Sequence, residues 1–170
     1  MSQTLDEFRS EHWLFSDKRF DRQLAADFLF LFSRAEYALK AADFKRPVGN
    51  TVWADWETFA LSLPTSPATP AGSELDKAVR YLKNFPPLTA TLTGKGLGLQ
   101  ETKHKALKQT SFLLDAVSDV RNNLFHGGKD FSGSAAERDR NLIKAASVVL
   151  LWALRADPKV WSYFDERGPG

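Results

Sequence analysis

The sequence is short of the residue types that several kinds of site require. None of its 170 residues is cysteine, and only three are histidine. Without cysteine the chain can hold no disulfide framework, no thiolate zinc site and no cysteine nucleophile, which fits a reducing cytosol. The formal net charge is only +2. This small charge argues against a strongly electrostatic polyanion binder, although it allows local basic patches.

Long hydrophobic runs and a leader pattern are also missing. The most apolar stretch, residues 142–154, is interrupted by Lys144 and Ser147 and is shorter than the about 20 residues that span a bilayer. The first residues, MSQTLDEFRSEH, are polar and charged, unlike a secretory signal. We therefore expect a cytoplasmic protein that does not enter a membrane, with a length that suits one domain.

What is present is helical periodicity. Apolar residues recur at steps of three and four residues along most of the chain. The predicted helices cover residues 21–43, 53–63, 74–84, 102–125 and 134–157, with Ser73 as an N-cap and Pro158 as the stop of the last long helix. The stretch 45–50 is predicted to be a loop, and apart from the 74–84 helix we expect a Pro/Ser/Gly-rich irregular insertion around residues 63–100. These patterns predict one all-α domain over residues 1–170, a bundle of four to five helices whose last long helix is central.

Two motifs elsewhere are weak. TGKGLG, residues 93–98, has the composition of a phosphate-binding loop, but the glycine–lysine–serine/threonine spacing is wrong and no strand is expected before it. His12 and His104 stand alone, without a second histidine or carboxylate at metal-ligand spacing. We expect a flexible loop at the first motif, and neither a metal site nor a cofactor.

The stretch VRNNLFHGG, residues 120–128, ends the most regular apolar pattern. It has an ordinary explanation, since Gly127 suits the left-handed position after a helix and His126 can interact with the carbonyl end. On a regular helix Asn122 and His126 lie one turn apart, on the side opposite the apolar stripe, and Arg121 lies on its shoulder. A histidine that titrates near neutrality, an amide that orients it and a guanidinium that binds phosphate are the groups RNA cleavage needs.

This combination resembles the HEPN superfamily, whose motif is an arginine, a polar residue and, a short spacing later, a histidine. Here Arg121 and Asn122 precede His126 near the end of a long helix, and the resemblance covers residues 112–156 best and extends to the 21–43 helix. It implies a metal-independent endoribonuclease of a toxin or antiphage defence system, with two subunits setting their motifs in one cleft. By this resemblance Arg121, His126 and Asn122 are the catalytic residues. Some HEPN toxins carry a tyrosine where this chain has Gly128, which places control by antitoxin modification in question.

Candidate contacts to RNA and to a second copy come from the residues themselves. Lys129, Arg138 and Arg140 are the candidate phosphate contacts, although a solvated charged face explains such clusters more often. A homodimer through the 21–43 and 102–125 helices is expected because their apolar residues exceed one core stripe. The residues concerned are Phe28, Phe30, Phe32, Leu114 and Phe125.

Two alternatives to the enzyme stay open. A non-catalytic HEPN-like module for dimerisation, or for binding nucleotide or protein, would bind without cutting and would tolerate replacement of His126. A purely structural helical domain would use VRNNLFHGG only as a capped helix end, and replacement of Gly127 would affect its stability alone.

Overall fold

The structure, a computed structural model, describes residues 21–93, 96–101, 109–125 and 133–166. The elements in chain order are α1 (Arg22–Ala41), β1 (Lys45–Val48), β2 (Thr51–Ala54), α2 (Trp56–Ser62), α3 (Glu74–Asn84), β3 (Leu88–Thr93), β4 (Gly96–Glu101), α4 (Gln109–Phe125), α5 (Gly133–Ala156) and α6 (Pro158–Asp165). The predicted helical bundle is confirmed. The all-α class fits broadly, with two short additions: β1 and β2 pair as one antiparallel hairpin and β3 and β4 as another.

The helix α5 occupies the centre of the bundle, as its sequence predicts. It packs against α1, α3, α4 and α6, and apolar side chains on several of its sides are buried. The fully enclosed core includes Phe28, Leu39, Phe59, Leu82, Leu113, Val117, Ile143, Val149, Leu150 and Leu154. Within the described ranges, no helix is both long and apolar enough to cross a membrane.

Side chains that precede the helices fix where they begin. The Ser73 hydroxyl accepts a hydrogen bond from the Asp76 amide at 3.1 Å, so the predicted N-cap of α3 is confirmed. Asp21 and Asp55 cap α1 and α2 in the same way, through carboxylate oxygens that accept from amides three residues later. Each cap satisfies one of the amides that the first turn of a helix leaves without a partner.

The predicted stop of the last long helix is confirmed, because α5 ends at Ala156, just before Pro158, but a further helix follows that the sequence did not predict. Pro158 is the first residue of a sixth helix, α6, where its missing amide costs nothing and its fixed φ favours the helix. Asp157 caps α6 through hydrogen bonds from the amides of Lys159 and Val160. At the other end, the Arg34 guanidinium of α1 donates three hydrogen bonds to main-chain carbonyls. Among the described residues the bundle therefore has one helix more than the upper limit predicted.

Residues 45–54 form a two-stranded hairpin where a loop and the start of a helix are predicted. The strands pair from Lys45↔Ala54 to Val48↔Thr51, which leaves a two-residue turn. Gly49 opens the turn with φ +59°, a backbone conformation that glycine adopts readily and that the type II′ hairpin turn requires at this position. The helix α2 accordingly begins at Trp56 rather than at Trp53.

The segment 63–100 is less irregular than predicted. Residues 63–73 contain neither helix nor strand, as expected of a proline-rich connector, but Leu88–Thr93 and Gly96–Glu101 form the second hairpin. A strand therefore does precede the glycines of TGKGLG. The second strand, which contains Gly96 and Gly98, stands where a phosphate-binding loop requires a helix, so that context is still absent.

The apolar surface assigned to dimerisation is mostly used inside the chain. Phe28, Phe32 and Leu114 are 1%, 4% and 2% exposed, whereas Phe30 is 76% exposed. Phe28 and Phe32 are one turn apart and share the inner face of α1, and Phe30 lies on another side. The side chain of Phe125 lies outside the described residues. Fewer of these apolar residues are therefore available for a dimer interface than the sequence indicates.

Candidate active site

The helix α4 presents its apolar stripe to the core and Asn122 of the motif to solvent. Leu113, Val117 and Val120 are buried, as the periodicity predicts. At the C-terminal end Arg121 is half-buried and Asn122 is exposed. This placement agrees with the predicted geometry, in which Asn122 lies opposite the stripe and Arg121 lies on its shoulder.

The Arg121 side chain is held on two sides. Its guanidinium carbon lies 5.6 Å from the centre of the Phe32 ring, within the range of a cation–π contact. Its Nη1 donates a hydrogen bond to Asn122 Oδ1 at 3.0 Å. Phe32 in turn stacks on Trp56, with 4.9 Å between ring centres. Apolar packing from α1 and α2 therefore supports a cation at the edge of α4, next to an exposed amide.

The third member of the motif follows directly in sequence. The described part of α4 ends at Phe125, and His126 and Lys129 lie outside the described residues, as do Gly127 and Gly128. The structure thus brings together Arg121 and Asn122 from the predicted catalytic set. Phe32, which supports Arg121, was missed by sequence reasoning because a contact between positions so distant in the chain leaves no local pattern.

The two predicted phosphate contacts on α5 have protein partners. Arg138 donates a hydrogen bond from Nη2 to the Pro86 carbonyl at 2.7 Å. Arg140 lies 3.9 Å from a carboxylate oxygen of Asp21, and both side chains are around two-fifths exposed. Arg138 therefore helps to hold the connector before the second hairpin, and Arg140 forms a partly solvated ion pair. Their contact with RNA stays a prediction.

The second hairpin is fastened beside the motif by residues that the sequence did not single out. Asn123 donates from its amide to the Leu88 carbonyl at 2.5 Å. The Thr89 hydroxyl lies 3.3 Å from a carboxylate oxygen of Asp119, in hydrogen-bond contact. Of the two adjacent amides in the motif, Asn123 thus binds the hairpin, whereas Asn122 binds Arg121.

A charge cluster fixes the base of the first hairpin. Asp43, at φ +75° after α1, accepts hydrogen bonds from Lys159 and Lys45, both at 3.0 Å. These two ammonium groups, Lys159 first, lower the pKa of Asp43 to about 2. A carboxyl group whose pKa is lowered on folding stabilises the fold above its ordinary pKa, and this stabilisation is lost as the pH falls towards the lowered value. The cluster therefore joins the hairpin to α6 at neutral pH.

No family model, curated protein or solved structure matches this chain. Within the part of the chain that the structure describes, no three His, Cys, Asp or Glu side chains are grouped as metal ligands could be. The assignment of a function therefore depends on the motif and its surroundings.

Proposed function

We propose that this protein is a metal-independent endoribonuclease of the HEPN type that acts as a toxin or antiphage defence effector. The observation that carries the proposal is the Arg121–Asn122 pair. A guanidinium packed on Phe32 and bonded to an exposed amide stands at the end of a helix whose next residue is His126. Such a pre-oriented cation suits the negative charge that develops on the phosphate oxygens as the 2′-oxygen attacks.

The proposed reaction uses the substrate's own 2′-hydroxyl as nucleophile. His126 accepts the proton of that hydroxyl as general base, and the oxygen then bonds to the adjacent phosphorus. The bond from phosphorus to the 5′-oxygen breaks, that oxygen takes a proton from water, and His126 returns its proton to the solvent. The products are a 2′,3′-cyclic phosphate and a 5′-hydroxyl. Arg121 stabilises the pentacoordinate phosphorane with its planar, permanently charged fork, and Asn122 orients Arg121.

A second copy of the chain is the partner that we propose for assembly. Phe30 supports it, because its ring is 76% exposed and covering that ring with another surface would lower the free energy of the protein. Phe30 and Phe32 lie on different sides of α1, so the Phe30 surface and the Arg121 edge are separate. Light scattering at micromolar concentration tests pairing directly, with Phe30→Ser as the variant that weakens it. A wild-type monomer would contradict the proposal.

One assay decides between the enzyme and a binding module. Purified protein is incubated with total RNA in EDTA, and the fragments are analysed for their ends. We expect fragments with cyclic phosphate and 5′-hydroxyl ends. Cleavage that stops in EDTA would contradict the metal-independent mechanism. RNA that is bound but never cut would favour the non-catalytic module instead.

A further inference from the structure

The first hairpin, residues 45–54, carries the most exposed group of apolar side chains near the site. Val48 is 50% exposed, Val52 52% and Trp53 57%. Tryptophan is costly to leave in water, since burial of a large aromatic side chain is worth a few kcal/mol. An exposed tryptophan on a short hairpin therefore indicates a binding function.

The register of the hairpin shows what accompanies Trp53. Arg46 pairs with Trp53 across the strands, and Val48 pairs with Thr51. Paired residues, and residues two apart on one strand, share a face, so these four side chains form one surface. Ala54 belongs to the other face and packs against the core. The surface with Arg46 and Trp53 is therefore directed away from the bundle.

The Trp53 ring is held in a defined orientation. Its Nε1 donates a hydrogen bond to the Thr51 hydroxyl at 3.0 Å, and that hydroxyl donates to the Val48 carbonyl at 2.8 Å. The polar atom of the indole is thus satisfied within the hairpin. What remains for a partner is the apolar face of the ring, which is suited to stacking on another flat ring.

The charge of the hairpin favours an anionic partner. Residues 45–54 contain Lys45 and Arg46 and no acidic residue. Lys45 is bound by Asp43. Arg46, whose charge acts after the hydrogen bonds of Thr58 to lower the pKa of Asp55, is the cation that accompanies the Trp53 ring. Aromatic rings that stack on bases next to cations that contact phosphates are how proteins bind single-stranded RNA.

The hairpin is close to the proposed active site through two ring contacts. Arg121 lies over Phe32, and Phe32 stacks on Trp56. Trp56 follows Ala54, the last residue of β2, by two positions. RNA bound at the hairpin would therefore lie near the Arg121 edge of α4.

We infer that this hairpin binds single-stranded RNA, with one base stacked on Trp53 and an adjacent phosphate paired with Arg46. The inference rests on the proposed function for the identity of the ligand, because the hairpin supplies the extra affinity that a nearly neutral protein needs for RNA. It assigns substrate binding to residues outside the Arg121–His126 motif.

The test measures binding of a fluorescent, single-stranded 2′-O-methylated RNA of mixed sequence to the full chain. This probe lacks the free 2′-hydroxyl, so binding is measured without cleavage. Trp53→Ala is expected to raise Kd about 5- to 150-fold, the range for loss of one stacked base. Trp53→Phe should retain part of the affinity. Arg46→Ala should reduce the salt dependence by about one phosphate contact.

A matched control and a spectroscopic signal separate stacking from a structural effect. Leu61, also exposed and apolar, lies outside the hairpin, and Leu61→Ala should bind like the wild type. RNA should quench tryptophan fluorescence less in Trp53→Phe than in the wild type. Equal Kd values for the wild type and Trp53→Ala would overturn the inference, as would a wild type that does not bind the probe. Loss of self-association or of binding to anionic vesicles in Trp53→Ala, with RNA binding unchanged, would assign the hairpin to those partners.

Failure of the hairpin inference and failure of the ribonuclease are distinguishable. Cleavage of natural RNA in EDTA, with the Kd of the probe unchanged by Trp53→Ala, overturns the hairpin inference alone. Trp53-dependent binding of the probe without cleavage of natural RNA supports the hairpin inference and overturns the ribonuclease.

Discussion

At the first turn of α4 Thr110 is fully buried, and its hydroxyl donates to the Pro64 carbonyl at 2.6 Å, while its amide donates to the Thr65 carbonyl at 3.1 Å. At the last turns Arg121 and Asn122 lie at the surface and bond to each other. The same helix therefore begins with a polar side chain enclosed by the fold and ends with polar side chains that solvent reaches.

The first turn of α4 therefore contributes to the stability of the fold, and its last turns carry the residues of the proposed chemistry. The buried Thr110 hydroxyl donates to a carbonyl of the proline-rich connector, so its loss should weaken the fold. Arg121 packs on the ring of Phe32 and Asn122 is exposed, so their loss should affect a ligand more than the fold. Substitutions at the two ends should accordingly change different measured quantities.

The largest effect is expected at the motif end, from His126→Ala. A general base or acid contributes about 10²- to 10⁴-fold to the rate, so cleavage of RNA should fall by that factor. The melting temperature should stay close to that of the wild type, because the sequence places His126 away from the core stripe. His104→Ala is the matched control and should cleave normally. A His126→Ala protein that cuts as fast as the wild type would remove the histidine from the mechanism.

Arg121→Ala should follow, with a loss of about 10²- to 10³-fold in cleavage rate, comparable to the removal of one group that stabilises an oxyanion. Arg121→Lys should recover only part of the rate, because an ammonium group cannot make the bidentate contacts of a guanidinium. Arg80→Ala, which changes an exposed arginine on α3, serves as control. Full activity in Arg121→Lys would mean that charge alone matters and that the planar fork does not.

At the other end of α4, Thr110→Val should act on stability alone. Removal of the hydroxyl breaks the hydrogen bond to the Pro64 carbonyl, and the net contribution of one such bond is about 0.5–1.5 kcal/mol. Urea unfolding should show this loss in the free energy of unfolding. The rate of RNA cleavage should stay unchanged at temperatures where the variant is folded. A variant of wild-type stability with reduced cleavage would reverse the comparison between the two ends.

The parts of this molecule that the sequence predicts are those that repeat at helical spacing. The stripe of Leu113 and Val117, the cap at Ser73 and the central position of α5 all follow from local patterns. The hairpins do not follow from local patterns. Their strands have only four to six residues, which is too few for an alternation of apolar and polar residues to be distinguished from the helical periodicity of the chain. The dipeptide Gly49-Asn50 could have indicated the first hairpin, because such a pair between two short strand-like segments is typical of a two-residue hairpin turn.

In the candidate site, too, some features follow from local sequence patterns and others depend on tertiary packing. The exposure of Asn122 follows from its angle on the helix, so it could be predicted. The support of Arg121 by Phe32 depends on how α1 packs against α4, and no local pattern encodes that contact. Which of two neighbouring amides binds the second hairpin is likewise set by tertiary structure.

The smallest effect is expected from Asn123→Ala, which tests the division between these neighbouring amides. The variant loses the hydrogen bond to the Leu88 carbonyl, and the net contribution of one such bond is about 1 kcal/mol. Hydrogen exchange in residues 88–101 should become faster, because the hairpin loses an attachment to α4 while the core is unchanged. Cleavage should continue near the wild-type rate, whereas Asn122→Ala should slow cleavage and leave exchange in the hairpin unchanged. If Asn123→Ala abolished cleavage with the hairpin still protected, the amide that acts with Arg121 would be Asn123, and the last turn of α4 would have to be assigned anew.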